Sequence, residues 1–259
     1  MKAISPSYRA HDYAFLVRRW QALAKRAGLK MRAFAKEGEH SVFAITTQKL
    51  NSEPKSENSN PGIYMSAGVH GDEPAPVWAL LQWAEENITR LQEQHFLIFP
   101  CMNPHGLINN TRVDHRGVDL NRTFQDAKEP LIGEWMKLVS NRCFAIGLHL
   151  HEDFDGHGIY LYELNHKTAL IGHRILEDCS AVIPIDQRAK MDGRKADRGL
   201  IVRRRLSKKI PGLPEAIALY HLGAPVALTF ESPSEFSLTD RISVQKRFVE
   251  SALHHVCGL

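Results

Sequence analysis

Hydrophobic positions along the chain follow two alternating rhythms. Short apolar runs occur at residues 41–48 (SVFAITTQ), 64–69, 95–104 (HFLIFPCMNP), 143–150 (CFAIGLHL), 158–164 (GIYLYEL) and 224–233 (APVALTFESP). Their length and content of β-branched and aromatic residues predict buried strands. Between them the apolar residues recur at helical spacing. Residues 11–28 carry Phe15, Leu16, Trp20, Leu23 and Ala27 on one face. Val77, Leu80, Leu81, Ala84, Ile88 and Leu91 repeat in the same way, behind Pro74 and Pro76, which suit a first helical turn. Residues 168–179 and 238–256 predict two further helices, and the polar, turn-rich stretch 51–62 predicts a surface loop. No repeat or low-complexity linker divides the chain, so residues 1–259 are expected to form one catalytic domain, a three-layer α/β/α arrangement around one sheet.

Polar chemistry collects where these strands end. The run at 64–69 hands over to His70 and Glu73, and the next enters the segment 103–124 (NPHGLINNTRVDHRGVDLNRTF). CFAIGLHL leads into His151 and Glu152, and VALTF leads into Glu231. Open α/β sheets bind ligands at the carboxyl ends of their strands. His70 and Glu73, three residues apart around a turn, can reach one ion from a single segment, and a catalytic zinc takes three protein ligands with one position left open. The third ligand must come from elsewhere. His149 and His151, two apart on a strand, face the same side, and either could supply it.

Composition narrows the class. The 259 residues are 43% hydrophobic, as in an ordinary globular enzyme, and the formal charge of +4 is too mild to imply nucleic-acid binding. The one dense basic stretch, 193–209, reads as a solvated loop or as an electropositive rim for an anionic substrate. No apolar stretch is long enough to span a membrane, and the amino-terminal segment lacks the apolar core of a secretory signal. The four cysteines, Cys101, Cys143, Cys179 and Cys257, form no CxxC pair, and they are expected to be buried free thiols of a cytoplasmic protein.

HGDE after a strand, RGVDLNRTF further on, a histidine at a strand end and then TFESP together resemble the zinc carboxypeptidases. That family is typified by carboxypeptidase A and includes compact bacterial murein-peptide amidases. The motifs span residues 62–235 in the family order, and GVDLNR is the most specific of them. AGVHGDEPAPV is also similar to the related succinylglutamate desuccinylase and aspartoacylase branch, which cleaves N-acyl amino acids. The resemblance implies a mixed, mostly parallel eight-stranded sheet between helices and one zinc per chain. It makes His70, Glu73 and His151 the metal ligands, because the family histidine lies at the strand end with the next strand several residues later. His149 would then line the cleft or support the ligand. Glu231 becomes the general base, Arg112 the group that stabilises the oxyanion, and Asn121 with Arg122 the clamp for a substrate carboxylate; Arg116 reads as surface.

The chain departs from the digestive carboxypeptidases in three ways. Asp72 replaces the arginine between the two HxxE ligands, the segment between Arg122 and the third histidine is short, and no tyrosine matches the family's mobile one. Tyr160 and Tyr162 read as core or cleft wall, and Tyr220 is the only loop-like candidate. The leading expectation is a zinc metallocarboxypeptidase or peptide amidase acting beside a free carboxylate. The alternative is a deacylase of N-acyl amino acids. A binding protein that merely keeps the fold is disfavoured, since every ligand and Glu231 are present. The expected partner is a small peptide or N-acyl amino acid, with no nucleic acid and no membrane.

Overall fold

A computed structural model describes residues 9–47, 61–165, 169–203, 206 and 210–258. Helix α1 (Tyr13–Ala27) starts at Asp12, whose side chain accepts from the Phe15 amide, and stops at Gly28 in the left-handed conformation. Strands β1 (Lys30–Glu37) and β2 (His40–Thr46) pair antiparallel. After β3 (Gly62–Ala67) come α2 (Pro74–Glu86), α3 (Ile88–Glu93), β4 (Phe96–Phe99), α4 (Pro104–Asn109), a 3₁₀ turn (Leu120–Arg122) and α5 (Pro130–Val139). The chain continues through β5 (Phe144–Asp153), β6 (Tyr160–Asn165), α6 (Gly172–Cys179), the hairpin β7 (Lys190–Met191) and β8 (Arg194–Lys195), β9 (Leu200–Val202), α7 (Glu215–His221), β10 (Val226–Pro233) and α8 (Leu238–Cys257).

One eight-stranded sheet has the order β1-β2-β4-β3-β5-β10-β6-β9. The central strands β4, β3, β5 and β10 run parallel, β6 is antiparallel to β10, and β9 is parallel to β6. Alternation along the strands separates two cores. Met65, Ile98, Leu148 and Phe230 pack with α1, α2, α6 and α8 on one face. Tyr64, Leu97, Phe99 and Ala227 pack with Trp135 of α5 and Leu219 of α7 on the other. The three layers are those the sequence pattern predicts. The four parallel strands bring their carboxyl ends to one edge, and the candidate site lies there.

Some elements differ from expectation. The helix predicted through Ile88 and Leu91 breaks at Asn87 into α2 and α3. Strand β1 and helices α5 and α7 were not foreseen; Glu215–His221 is a short helix whose first five residues are all buried, so it shows no helical period. Tyr220 therefore stands in α7 and not in a loop. Cys101 and Cys179 are buried free thiols as expected, but Cys143, immediately before β5, is exposed; the Cys257 side chain lies outside the described residues. Most of the loop expected at 51–62 also lies outside them, with β3 already beginning at Gly62. Among the described residues no helix is long and apolar enough to cross a membrane.

Candidate metal centre

The turn after β3 is set by close packing. Gly68 has φ of +64°, a region that side chains rarely adopt, so the chain can leave the strand sharply there. A Cβ on Gly71 would lie 1.9 Å from the carbonyl carbon of Gly106, so backbone of the HGDE turn sits directly against α4. Glu73 follows as the residue preceding α2, with Pro74 in the first helical turn. Glu152 anchors that helix start from β5: its Oε2 accepts from the Ala75 amide at 2.9 Å, and Arg241 of α8 donates to its other oxygen. Glu152 thus holds α2 and does not touch the His151 ring, while Asp153 accepts from the Tyr160 hydroxyl at 2.9 Å.

Three buried side chains meet at this edge. His70 Nδ1 is 2.5 Å from Glu73 Oε1, and His151 Nδ1 is 3.0 Å from Glu73 Oε2. Ligand atoms of His70, Glu73 and His151 lie within 4.8 Å of one another. Burial alone would lower His70, but the Glu73 carboxylate and Asp119 outweigh it and raise the imidazole to about 9. Burial alone would raise Glu73, and the two histidines instead bring it down to about 2. A point that favours protonated imidazoles is one where positive charge is stabilised. Two ring nitrogens and one carboxylate oxygen are also the donor set of a catalytic zinc site. The residues present therefore fit a zinc ion. A second group, Glu37, Asp114 and His115, has the spacing for a cation as well, but its carboxylates are occupied: Glu37 accepts from the His105 and His115 amides and from His115 Nδ1, and Asp114 accepts from Arg116 and Val118.

Register separates the two histidines of β5. His151 stands level with Glu231 of β10, whereas His149 stands level with Ser66 of β3, one pair deeper on the same face. His149 is fully buried, 3.1 Å from Ser66 Oγ and 3.2 Å from the Glu215 carboxylate. It lines no part of the cleft and does not contact His151, contrary to the supporting position expected for it. Glu215 also accepts from Ser66 at 2.8 Å and from Tyr64, and the Trp135 indole donates to Tyr64 at 2.8 Å.

The other sequence-derived residues surround the same space. Arg112 Nη1 lies 3.3 Å from His70 Nδ1 and 3.9 Å from Glu73, while its Nε donates to Asp119 Oδ2 at 3.0 Å. Asn121, largely buried, accepts from the Glu215 amide at 2.9 Å through Oδ1, which fixes the amide orientation. Arg122 donates to the Asn121 carbonyl at 3.0 Å and forms no hydrogen bond or ion pair with Asp119 or Asp126. Burial pushes the Glu231 carboxyl well above the usual carboxylate range, against the opposing pull of His151. Arg116 pairs with Asp114 and Glu129 away from the centre. His70, Glu73, Arg112, Asn121, Arg122, His151 and Glu231 all line one cavity of about 420 Å³.

Sequence reasoning missed Asp119. It caps the 3₁₀ turn through the Asn121 amide, holds Arg112, and lies 3.4 Å from His70 Nε2. Its signal was its place at the start of DLNR, where an aspartate caps a turn. Tyr160 and Tyr162 form cleft wall, together with Asp192, which no motif marked, and with Arg194 and Arg203 of the basic stretch 193–209.

Known proteins resemble this chain in sequence over one segment and in fold over most of its length. Residues 59–136 match the succinylglutamate desuccinylase/aspartoacylase catalytic domain family. A candidate metallopeptidase of Shewanella amazonensis SB2B superposes with a TM-score of 0.82 at 19% identity, over 95% of this chain and 94% of its own. A metallo-carboxypeptidase from Burkholderia cenocepacia gives 0.69 at 15% identity, over 93% of this chain and 68% of its own. Carboxypeptidase A from Helicoverpa armigera gives 0.68 at 15% identity, over 95% and 73%. No curated protein sequence matches. At these identities the likeness is one of fold: the chain has the carboxypeptidase-like α/β/α fold.

Proposed function

We propose that this chain, with its carboxypeptidase-like fold, is a zinc-dependent hydrolase that cleaves an amide bond beside a free carboxylate, as a metallocarboxypeptidase or peptide amidase. One observation carries the reading: the convergence of His70, Glu73 and His151 in a cavity that also holds Arg112, Asn121, Arg122 and Glu231. A zinc ion held by the three ligands would acidify water and polarise the scissile carbonyl.

The chain's own residues account for the remainder. Glu231 Oε accepts a proton from the attacking water and returns it to the departing nitrogen, so that the C–N bond breaks while the acyl carbon gains the hydroxyl. Burial raises the Glu231 carboxyl above the usual carboxylate range, the direction that makes it a stronger base. Arg112 places a fixed positive charge beside the ligands, where the oxyanion develops. Asp119 orients Arg112. Asn121 presents Nδ2 to the cavity, since Oδ1 is held by the Glu215 amide, and Arg122 offers a fork for a carboxylate. The unpaired Cys101, Cys143 and Cys179 are consistent with a reducing, cytoplasmic setting.

Deacylation of N-acyl amino acids is the second reading, favoured by the match of residues 59–136 to the desuccinylase/aspartoacylase domain. The two differ in the acyl side of the amide. Incubating the zinc-loaded protein with dipeptides, muropeptides and N-acyl amino acids separates them. Release of a C-terminal residue from peptides supports the first, turnover of N-acyl amino acids alone supports the second, and no turnover of any compound overturns both.

A further inference from the structure

Helix α8 packs on the face of the sheet turned away from the cavity. Its Phe248 stacks on Phe230 of β10 with ring centroids 4.6 Å apart, and Leu150 of β5 shares that core. Side chains alternate along a strand, so His151 and Glu231, the next residues, face the cavity on the other side. Glu152 and Ser232, level with each other one position further on, turn back toward α8.

Two polar side chains of α8 meet them. Gln245 has no exposed surface, and its Nε2 donates to the His151 carbonyl at 2.5 Å and to Ser232 Oγ at 3.0 Å. Arg241, one turn earlier on the same side of the helix, donates to Glu152, whose side chain is wholly buried. The other oxygen of Glu152 accepts from the Ala75 amide at 2.9 Å, in the first turn of α2 and two residues after Glu73. A carboxylate is favoured there by the free amides and positive end of the helix. One helix therefore grips both segments that supply the ligands, β5 at His151 itself and the start of α2 through Glu152. The sheet does not fix their separation, because the β3–β5 ladder ends at Ala67 and Leu150, before any ligand. Burying an amide and an ion pair costs free energy that an apolar contact does not. The aromatic stack and aliphatic core already anchor α8. What the polar pair adds is direction, since a hydrogen bond sets distance and angle at a particular atom and apolar contact does not.

We propose that Arg241 and Gln245 are positioning residues of the metal centre. Gln245 holds the backbone of His151, and Arg241 acts through Glu152 on the start of α2 that follows Glu73. The ligands then stand at a fixed separation and release the ion slowly. This rests on the assignment of zinc to His70, Glu73 and His151. It adds that retention of the ion is set by a helix on the opposite face of the sheet.

The test needs no substrate. Zinc-loaded wild type, Arg241→Met, Arg241→Lys, Gln245→Met and Leu253→Ala are mixed with excess chelating dye, and zinc release is timed well below each melting temperature. Groups that orient metal ligands are typically worth roughly 10- to 100-fold in metal affinity. Arg241→Met and Gln245→Met should therefore release zinc roughly 10- to 100-fold faster than wild type. Arg241→Lys, which keeps a cationic donor for Glu152, should stay closer to wild type. Leu253→Ala opens a cavity in the α8 core and lowers the melting temperature, yet should leave release unchanged. Visible absorption of the cobalt-substituted proteins reports ligand geometry independently, and its bands should shift in the two Met variants and not in Leu253→Ala. Wild-type release from both Met variants, unshifted cobalt bands in both, or acceleration by Leu253→Ala as large as theirs overturns the proposal and leaves the zinc site standing. If one Met variant does not fold, the other decides by the same two readouts. A wild type that takes up no zinc removes the site and this role together.

Discussion

His149 and His151 are two residues apart on one face of β5, yet their replacement by alanine should have opposite consequences. His149 has no exposed surface and sits against Ser66 Oγ and the Glu215 carboxylate at 3.1 and 3.2 Å. Glu215 is itself buried, so removing the imidazole leaves its carboxylate with only Tyr64 and Ser66 as side-chain partners. A hydrogen bond to a charged group is worth roughly 1.5–3 kcal/mol, and the cavity left by the ring adds to that. A total near 3 kcal/mol, at about 2–4 °C per kcal/mol for a chain of this size, lowers the melting temperature by roughly 6–12 °C. Zinc content should stay near one per chain, because His149 lies one strand pair below the ligands. His151→Ala should do the reverse. The ring is 3.0 Å from Glu73 Oε2 at the point of convergence, so its loss removes one of three donors and zinc per chain should fall toward zero. Elemental analysis of dialysed protein alongside thermal melts reads both quantities. Loss of zinc from His149→Ala with retention in His151→Ala would transfer the third ligand to His149 and refute the register argument.

Three further outcomes are expected. Glu231→Gln should keep zinc and fold but lose turnover by about 10² to 10⁴-fold, and a near-normal steady-state rate would remove Glu231 from the proton path. Arg122→Ala should raise KM by roughly 10- to 100-fold without lowering the melting temperature, and wild type should cleave substrates with an amidated carboxylate poorly; equal cleavage of acid and amide refutes the clamp. Asp186 has no exposed side chain, and although burial opposes it, the Arg188 guanidinium and the Arg188 and His157 amides hold its carboxyl below the usual range. A depressed carboxyl stabilises the fold above its unfolded pKa, and that stability is lost as pH falls through the folded value. Asp186→Asn should therefore melt several degrees lower than wild type at pH 7 by scanning calorimetry, with the gap closing in acid; a gap independent of pH would contradict it.

Much of the architecture is local information. Apolar runs such as HFLIF and CFAIGLHL, and the helical period of 238–256, depend on side-chain periodicity that any window of the chain contains. The strand-end placement of His70, Glu73, His151 and Glu231 follows from those same runs. Short elements were not legible, because α7 and β9 are too brief to show a period, and β1 is an edge strand with mixed exposure. Tertiary structure alone decided what depends on register and on distant partners. That His151 and not His149 meets Glu73 is set by how β5 aligns with β3 and β10. Arg194 and Arg203 belong to the basic stretch 193–209, but that they line this cavity follows from tertiary structure: Arg203 comes directly after β9, which pairs with β6, and Arg194 stands on the β7–β8 hairpin. Asn121 is oriented by the amide of Glu215, ninety-four residues away. Periodicity along a strand reports which face a side chain takes, but the depth it reaches and the partner it finds there are properties of the assembled sheet.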